Sequence, residues 1–257
     1  MAPTGAGVAL VTGAARRIGR TLALEAAALG YDVAVHFRGS RGEAHAVVDG
    51  IRAAGRRAAA FEADLGSDAE AEGLLPRAAD ALGPVTLLVN NASVFEDDAV
   101  GSITRESWAA HLDTNLRAPV LLAQAFAAQE AWRAPDARGL IVNLLDQRVW
   151  KPNPLFFSYT LSKAALWAAT RTLAQALAPK IRVNGIGPGP TLPNVHGGEA
   201  AFEAEARGTP LERHATPEEI ARALRFLVES PSVTGQMIAV DAGQHLAWKT
   251  PDLALDV

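Results

Sequence analysis

The feature that most limits the folds open to this chain is the order of its segments. Short, largely apolar runs alternate with stretches of helical periodicity almost from end to end. Residues 8–11 form the first run; a helical pattern over 16–29 follows and closes at Gly30, a natural helix C-cap. The unit repeats as strand 32–37, helix 43–54, strand 58–63, helix 69–82 and strand 85–89. A long helix over 105–131, a strand at 140–144, a second long helix over 155–177 and a strand at 181–186 come next. Thr216-Pro217-Glu218-Glu219 has the capping-box form with proline at the first helical position. It starts a helix to about residue 229, and residues 237–240 supply a last strand. Strands apolar on both faces belong in a parallel sheet covered by helices. The pattern predicts one α/β domain over residues 1–257, doubly wound around about seven parallel strands. Residues 188–214 are Gly/Pro-rich, with only a short helix near 199–207. So irregular a stretch in a compact domain is expected to cover a substrate.

Charge and composition exclude several classes of partner. The net charge of −4 and a pI near 5.9 give no drive toward nucleic acid or anionic membrane. No run approaches the roughly 18 apolar residues that span a bilayer, and the N-terminus has no basic region ahead of its apolar run. With no cysteine there are no disulfides or thiolate metal sites, and no histidine pair has ligand spacing, so no metal is expected. The expectation is a soluble, cytoplasmic protein acting on a small molecule.

The first strand runs into Thr12-Gly13-Ala14-Ala15-Arg16-Arg17-Ile18-Gly19. Glycines in a strand-to-helix turn let the backbone approach a pyrophosphate, which the helix N-terminus attracts. Alone, such a turn is equally a tight connection with no ligand. What ends the second strand sharpens it: His36-Phe37-Arg38-Gly39-Ser40 offers no carboxylate for a ribose 2′-hydroxyl before Glu43. Arg38 and Ser40 suit a 2′-phosphate, with Arg17 adding charge beside the phosphates, which favours NADPH over NADH. The alternative is that Arg38 and Arg41 are solvated surface arginines.

Tyr159 and Lys163 lie four apart in a helical segment and share a face. The chain has only two tyrosines and four lysines. An ammonium near the phenol is expected to lower its pKa toward general acid work. An isolated pair of this spacing is more often a core tyrosine beside a surface lysine. Here it accompanies the glycine turn, Asn90-Asn91-Ala92 and Pro188-Gly189 at fitting places.

Together with Asp64-Leu65, Asn115 and the terminal Asp241-Ala242-Gly243, these residues resemble the short-chain dehydrogenase/reductase family over essentially the whole chain. The resemblance implies a Rossmann-type fold and a proton donated by Tyr159. It implies that Lys163 holds the nicotinamide ribose, and that Asn115 anchors a water in the proton relay. Asp64 and Leu65 would flank the adenine. Gly13, Ile18, Gly19, His36, Phe37, Asn91, Ala92, Ser93, Pro188, Gly189 and Thr191 would complete the cofactor site. It also implies a homotetramer in which the two long helices pair between subunits, Ala164, Ala165, Ala168 and Ala169 permitting close packing.

Two departures narrow the choice. Arg17 stands where the family's turn has its central glycine, and Asp146 stands where a serine precedes the tyrosine by thirteen positions. A serine hydroxyl can donate to a developing alkoxide, which an ionised carboxylate would repel. Asp146 suits a substrate nitrogen that takes up a proton, although a protonated Asp146 could still donate to a carbonyl. Both departures, with Asn90-Asn91-Ala92-Ser93-Val94-Phe95, resemble the pteridine reductases and the bacterial dihydromonapterin and dihydrofolate reductases of this family. By that resemblance Phe95 would stack on a pterin, and Arg17 and Ser93 would touch the pterin or the cofactor phosphates. Phe95 is otherwise an apolar loop residue that closes the site.

Trp150, Phe156 and Phe157 fall where the substrate pocket is expected, one of the phenylalanines being at least as well placed for a core or subunit contact. Trp108 and Trp132 read as packing residues, with His111 on the same long helix and His196 and His214 in or beside the loop. The expected function is hydride reduction of a dihydropterin-like heterocycle, with Ser93, Phe95, Asp146 and Tyr159 at the substrate. A ketone or 3-oxoacyl thioester reductase, and a non-catalytic NADPH-binding sensor, are the alternatives.

Overall fold

The computed structural model describes residues 7–193 and 198–248. Seven parallel strands form one sheet in the order β3-β2-β1-β4-β5-β6-β7. They are β1 Val8–Val11, β2 Asp32–Phe37, β3 Ala58–Glu62, β4 Val85–Asn90, β5 Gly139–Leu144, β6 Ile181–Pro188 and β7 Met237–Val240. The strands' side chains alternate between two cores. Ala9, Val11, Val33 and Val35 pack with Leu22 of α1 (Arg17–Ala28), Val47 of α2 (Arg41–Ala53) and Ile220 of α8 (Pro217–Glu229). Val8, Leu10, Leu88 and Ile141 pack with Leu74 of α3 (Asp68–Leu82), Leu122 of α5 (Ala118–Ala127) and Ala174 of α6 (Phe157–Leu177). This three-layer, doubly wound α/β arrangement is the one that the alternating apolar runs predict.

The helix expected over 105–131 is broken. It consists of α4 (Arg105–Leu112), a π-helical turn (Asp113–Arg117), α5, and a separate 3₁₀ turn (Glu130–Arg133). Pro119 supplies the reason, since it has no N–H to donate to the carbonyl of Asn115, four residues back. The break presents Asn115 to the loop after β4. Trp132 packs on Phe126, but Trp108 is exposed on α4, so the packing role expected of Trp108 does not hold.

The irregular segment contains the expected short helix as α7 (Gly198–Arg207), while His196 lies outside the described residues. No helix among the described residues is long and apolar enough to cross a membrane.

Candidate active site

The strand order reverses between β1 and β4, so the chain leaves these neighbours in opposite directions and a crevice opens beyond their C-terminal ends. Asn91 joins the two lips. Its N–H donates to Thr12 Oγ1 (2.9 Å), and its amide donates to the carbonyls of Thr12 (2.9 Å) and Gly13 (3.2 Å). The turn closes only because residue 19 is glycine: a Cβ there would meet Gly13 O at 2.1 Å and Asn91 Nδ2 at 2.5 Å. Arg17 adopts φ +53°, the left-handed conformation that glycine holds at no cost and that costs another residue about 1–2 kcal/mol. Among the described residues no side chain caps the N-terminus of α1, so its first N–H groups are left for an anion.

A cavity of about 700 Å³ runs along this turn. It is lined by Gly13, Arg17, Ile18, Gly19, His36, Phe37, Arg38, Ser40, Asp64, Leu65, Asn91, Ala92 and Ser93, all expected from the sequence. Arg16 and Glu43 also line it, and neither was expected. They pair at 3.8 Å. His36 holds the turn together: Nδ1 accepts from Gly13 N–H at 3.0 Å, and Nε2 lies 3.1 Å from the carbonyl of Ala63. Burial pushes its pKa down to about 4, so the ring is neutral with its proton on Nε2. Both nitrogens being used, His36 braces the site rather than offering a donor to a ligand.

A second cavity, of about 290 Å³, adjoins the first through Arg17, Ile18, Asn91 and Ser93. Phe95, Asp146, Tyr159, Lys163, Pro188, Gly189 and Thr191 line it. Tyr159 donates its hydroxyl to Asp146 Oδ2 at 2.9 Å, and the other oxygen, Oδ1, accepts from Arg148 N–H at 2.8 Å. Lys163 Nζ donates to the carbonyl of Leu144 at 2.7 Å and lies 5.7 Å from the Tyr159 ring centroid. Burial pushes Lys163 down to about 8, opposed by the charge of Asp146. Burial likewise holds Asp146 above the usual carboxylate range, against the Arg148 N–H and guanidinium.

These contacts reverse one expectation. Tyr159 is held well above the ordinary phenol pKa, first by burial and then by the charge and hydrogen bond of Asp146. Lys163 is turned to a backbone carbonyl, so the expected lowering by its ammonium is absent from this arrangement.

Asn115 is the one expected site residue that lines neither cavity. Its Oδ1 accepts from Val94 N–H (2.8 Å) and Ser93 Oγ (3.1 Å), and Nδ2 donates to Val94 O (2.9 Å) and Ser162 Oγ (3.1 Å). Its side chain therefore ties the Ser93-Val94 segment to α6.

The sequence reading missed several residues. Arg148 lies beside Asp146, and Phe202, Glu205 and Gln244 also line the second cavity. Asp98 caps α6 from a distant loop: its carbonyl accepts from Phe157 N–H at 3.0 Å and its carboxylate from Ser158 N–H at 2.9 Å. Ser158 Oγ bonds Asp98 and lies 2.7 Å from Nδ1 of the buried His111. Phe156 is no core residue; its ring stacks on Phe95 at 4.1 Å, and Phe95 meets the Tyr159 ring edge-on at 4.7 Å. His214 lies against Phe202, and Trp150, largely exposed, against His245.

A model of the short-chain dehydrogenase/reductase family, described as enoyl-(acyl carrier protein) reductase, matches residues 13–245. Among solved structures, FolM alternative dihydrofolate reductase 1 from Brucella suis, in complex with NADP, is similar with a TM-score of 0.92. It is 48% identical, and the match covers 98% of this chain and 100% of that one. The Brucella canis counterpart, also complexed with NADP, gives a TM-score of 0.90 and 47% identity over 99% and 100% of the two chains. The 3-oxoacyl-(acyl-carrier-protein) reductase FabG of Staphylococcus epidermidis is 32% identical over 243 residues, covering 93% of this chain and 98% of that protein.

Proposed function

The chain belongs to the short-chain dehydrogenase/reductase family, and on that premise we propose that it is a cytoplasmic, NADPH-dependent reductase of a dihydropterin-like nitrogen heterocycle. The observation that carries the substrate class is the hydrogen bond from Tyr159 to Asp146. A carboxylate on the phenol, at the wall of the substrate cavity, opposes an oxyanion there and favours a nitrogen gaining a proton. Phe95 at the cavity wall, backed by Phe156, offers an aromatic surface to a flat ring. The Brucella neighbours, named as dihydrofolate reductases, support the reading.

The cofactor is NADPH, which when bound supplies the hydride. Gly13, Gly19 and the free N-terminus of α1 form a cradle for its pyrophosphate. Arg38 and Ser40, with the neighbouring Arg16, hold the 2′-phosphate. Replacing Arg38 by glutamate should weaken NADPH binding by about 1.5–3 kcal/mol, one charge-assisted contact, and affect NADH much less. Titrating both cofactors by fluorescence checks this; equal affinities in the unmodified protein would sink the assignment.

In turnover Tyr159 delivers the proton, Asp146 shares and restores it, and Lys163 holds the nicotinamide ribose. The 188–214 segment belongs to the one catalytic domain, and its described residues Pro188, Thr191, Leu192 and Phe202 line the substrate cavity. Arg17 ties that segment to the glycine turn by donating to the carbonyls of Leu192 (3.3 Å) and Pro193 (3.0 Å). The same reading makes the enzyme a homotetramer, for which α6 presents Leu161, Ala164 and Ala168 outward.

FabG-like reduction of a 3-oxoacyl thioester is the second reading, favoured by the 32% identity to that protein and opposed by Asp146. A non-catalytic sensor would need no intact Tyr159–Asp146–Lys163 cluster. The deciding measurement is kcat/KM with NADPH across dihydropterins, dihydrofolate, 3-oxoacyl thioesters and simple ketones. The heterocycles should be preferred; preference for carbonyl substrates would refute the pterin reading, and no turnover of any of them would favour the sensor.

A further inference from the structure

One residue bridges Asp146 and the Phe95–Phe156 ring pair, yet it has no part in the proposed chemistry so far. Arg148 gives its backbone N–H to Asp146 Oδ1, and its guanidinium Nε lies 4.0 Å from the same oxygen. The guanidinium carbon stands 5.1 Å from the Phe156 ring centroid and 5.7 Å from that of Phe95. Its Nη1 donates to the carbonyl of Leu155 at 3.2 Å, tying the turn after β5 to the residue just ahead of Phe156. The side chain is only 14% exposed, so these contacts are little screened by water. Phe156 itself holds φ +53° at the start of α6, a conformation a bulky residue keeps only when its surroundings impose it.

We infer that Arg148 is a positioning residue: it fixes the Asp146 carboxylate and the Phe95–Phe156 stack in one register, and so sets both the proton relay and the ring-binding wall. Two properties of the guanidinium serve two separate ends. Its charge faces a carboxylate that the cavity desolvates, and so favours the ionised form. Its flat fork reaches the side of the Phe95–Phe156 pair and the Leu155 carbonyl together, which an ammonium of similar length cannot match in shape. The other charged or titratable groups facing Asp146 are Tyr159 from the first turns of α6 and Lys163 one turn on. Arg17 and Glu205 line the same cavity. Among these, Tyr159 touches the carboxylate and the Phe95 ring, and Arg148 alone reaches the carboxylate and both rings.

The inference rests on the proposed role of Asp146 but not on the identity of the substrate. It is tested by comparing Arg148→Met and Arg148→Lys with the unmodified enzyme. The readouts are the NADPH dissociation constant, KM and kcat for the best substrate, and the pH profile of kcat/KM. Loss of the positive charge in Arg148→Met should move the limb due to the Asp146–Tyr159 pair to higher pH. Loss of the guanidinium's hold on Leu155 and the ring pair should raise KM by about 10-fold, the scale of one hydrogen bond from a charged group. The dissociation constant for NADPH should hold. Arg148→Lys restores the charge without the planar fork, so the limb should return while KM stays raised. If Arg148→Met does not fold, the lysine variant still decides, through raised KM with an unmoved profile. An unmoved profile with unchanged KM in Arg148→Met would overturn the inference. So would a loss of NADPH affinity equal to the rise in KM, the mark of general damage. If ketones alone are reduced, the pterin reading fails, and the same shifts measured on the ketone still judge Arg148.

Discussion

Replacing Tyr159 by phenylalanine should lower kcat by about 10²–10⁴-fold, the usual worth of a positioned general acid, while NADPH still binds. The prediction separates ring from hydroxyl. The Tyr159 ring packs edge-on against Phe95 and lies 5.7 Å from the Lys163 ammonium, and phenylalanine keeps both contacts. Only the bond to Asp146 is lost. Because burial and Asp146 hold the phenol well above its ordinary pKa, it is fully protonated near neutral pH. That is the state a proton donor needs in the reductive direction. Single-turnover rates at saturating NADPH, beside cofactor binding by fluorescence, provide the check. A near-normal kcat would show that the proton comes from elsewhere, with Asp146 the first candidate.

The frame of this molecule is legible in its sequence because a strand buried on both faces has no alternative to a continuous apolar run. Runs such as Val8–Val11 and the Val33–Val35 centre of β2 therefore mark the sheet, and the turn after the first of them marks the crevice. The glycine turn is readable for a related reason, since at residue 19 no side chain fits at all. Other features arise from contacts between segments far apart in the chain. Spacing places Lys163 on the same face as Tyr159 but does not say where its ammonium ends, and a carbonyl of β5 takes it. The raised phenol pKa comes from Asp146, thirteen residues upstream on another element. The cap of α6 comes from Asp98, sixty residues before Ser158. One local signal was available and not used: Pro119 inside the helical pattern over 105–131 marks the break that turns Asn115 toward Val94. Arg148 offered a weaker one, an arginine two positions past Asp146 in the turn after β5.

The substrate class turns on Asp146. Asp146→Ser should lower kcat/KM for dihydropterins on the order of 10²-fold and raise a weak activity on ketones. The two changes share one cause. A hydroxyl in this place can donate to an oxyanion that the carboxylate repels, but it cannot store the proton that Tyr159 passes on. The pH dependence carries the sign. Burial holds the Asp146 carboxyl above the usual range, so it keeps its proton to higher pH than an exposed aspartate does. Reduction consumes a proton, so activity on the heterocycle should be full where the Asp146–Tyr159 pair is protonated. It should fall as pH rises through the apparent pKa of that pair. The serine variant should lose this limb and keep a descent at higher pH set by the phenol alone. Steady-state kinetics of both enzymes across pH, on a dihydropterin and on a ketone, resolve the question. If the native enzyme prefers the ketone and the substitution leaves both activities unchanged, the carboxylate is a bystander and the pterin reading falls. Membership of the short-chain reductases would stand, because it rests on the match across residues 13–245 rather than on this one side chain.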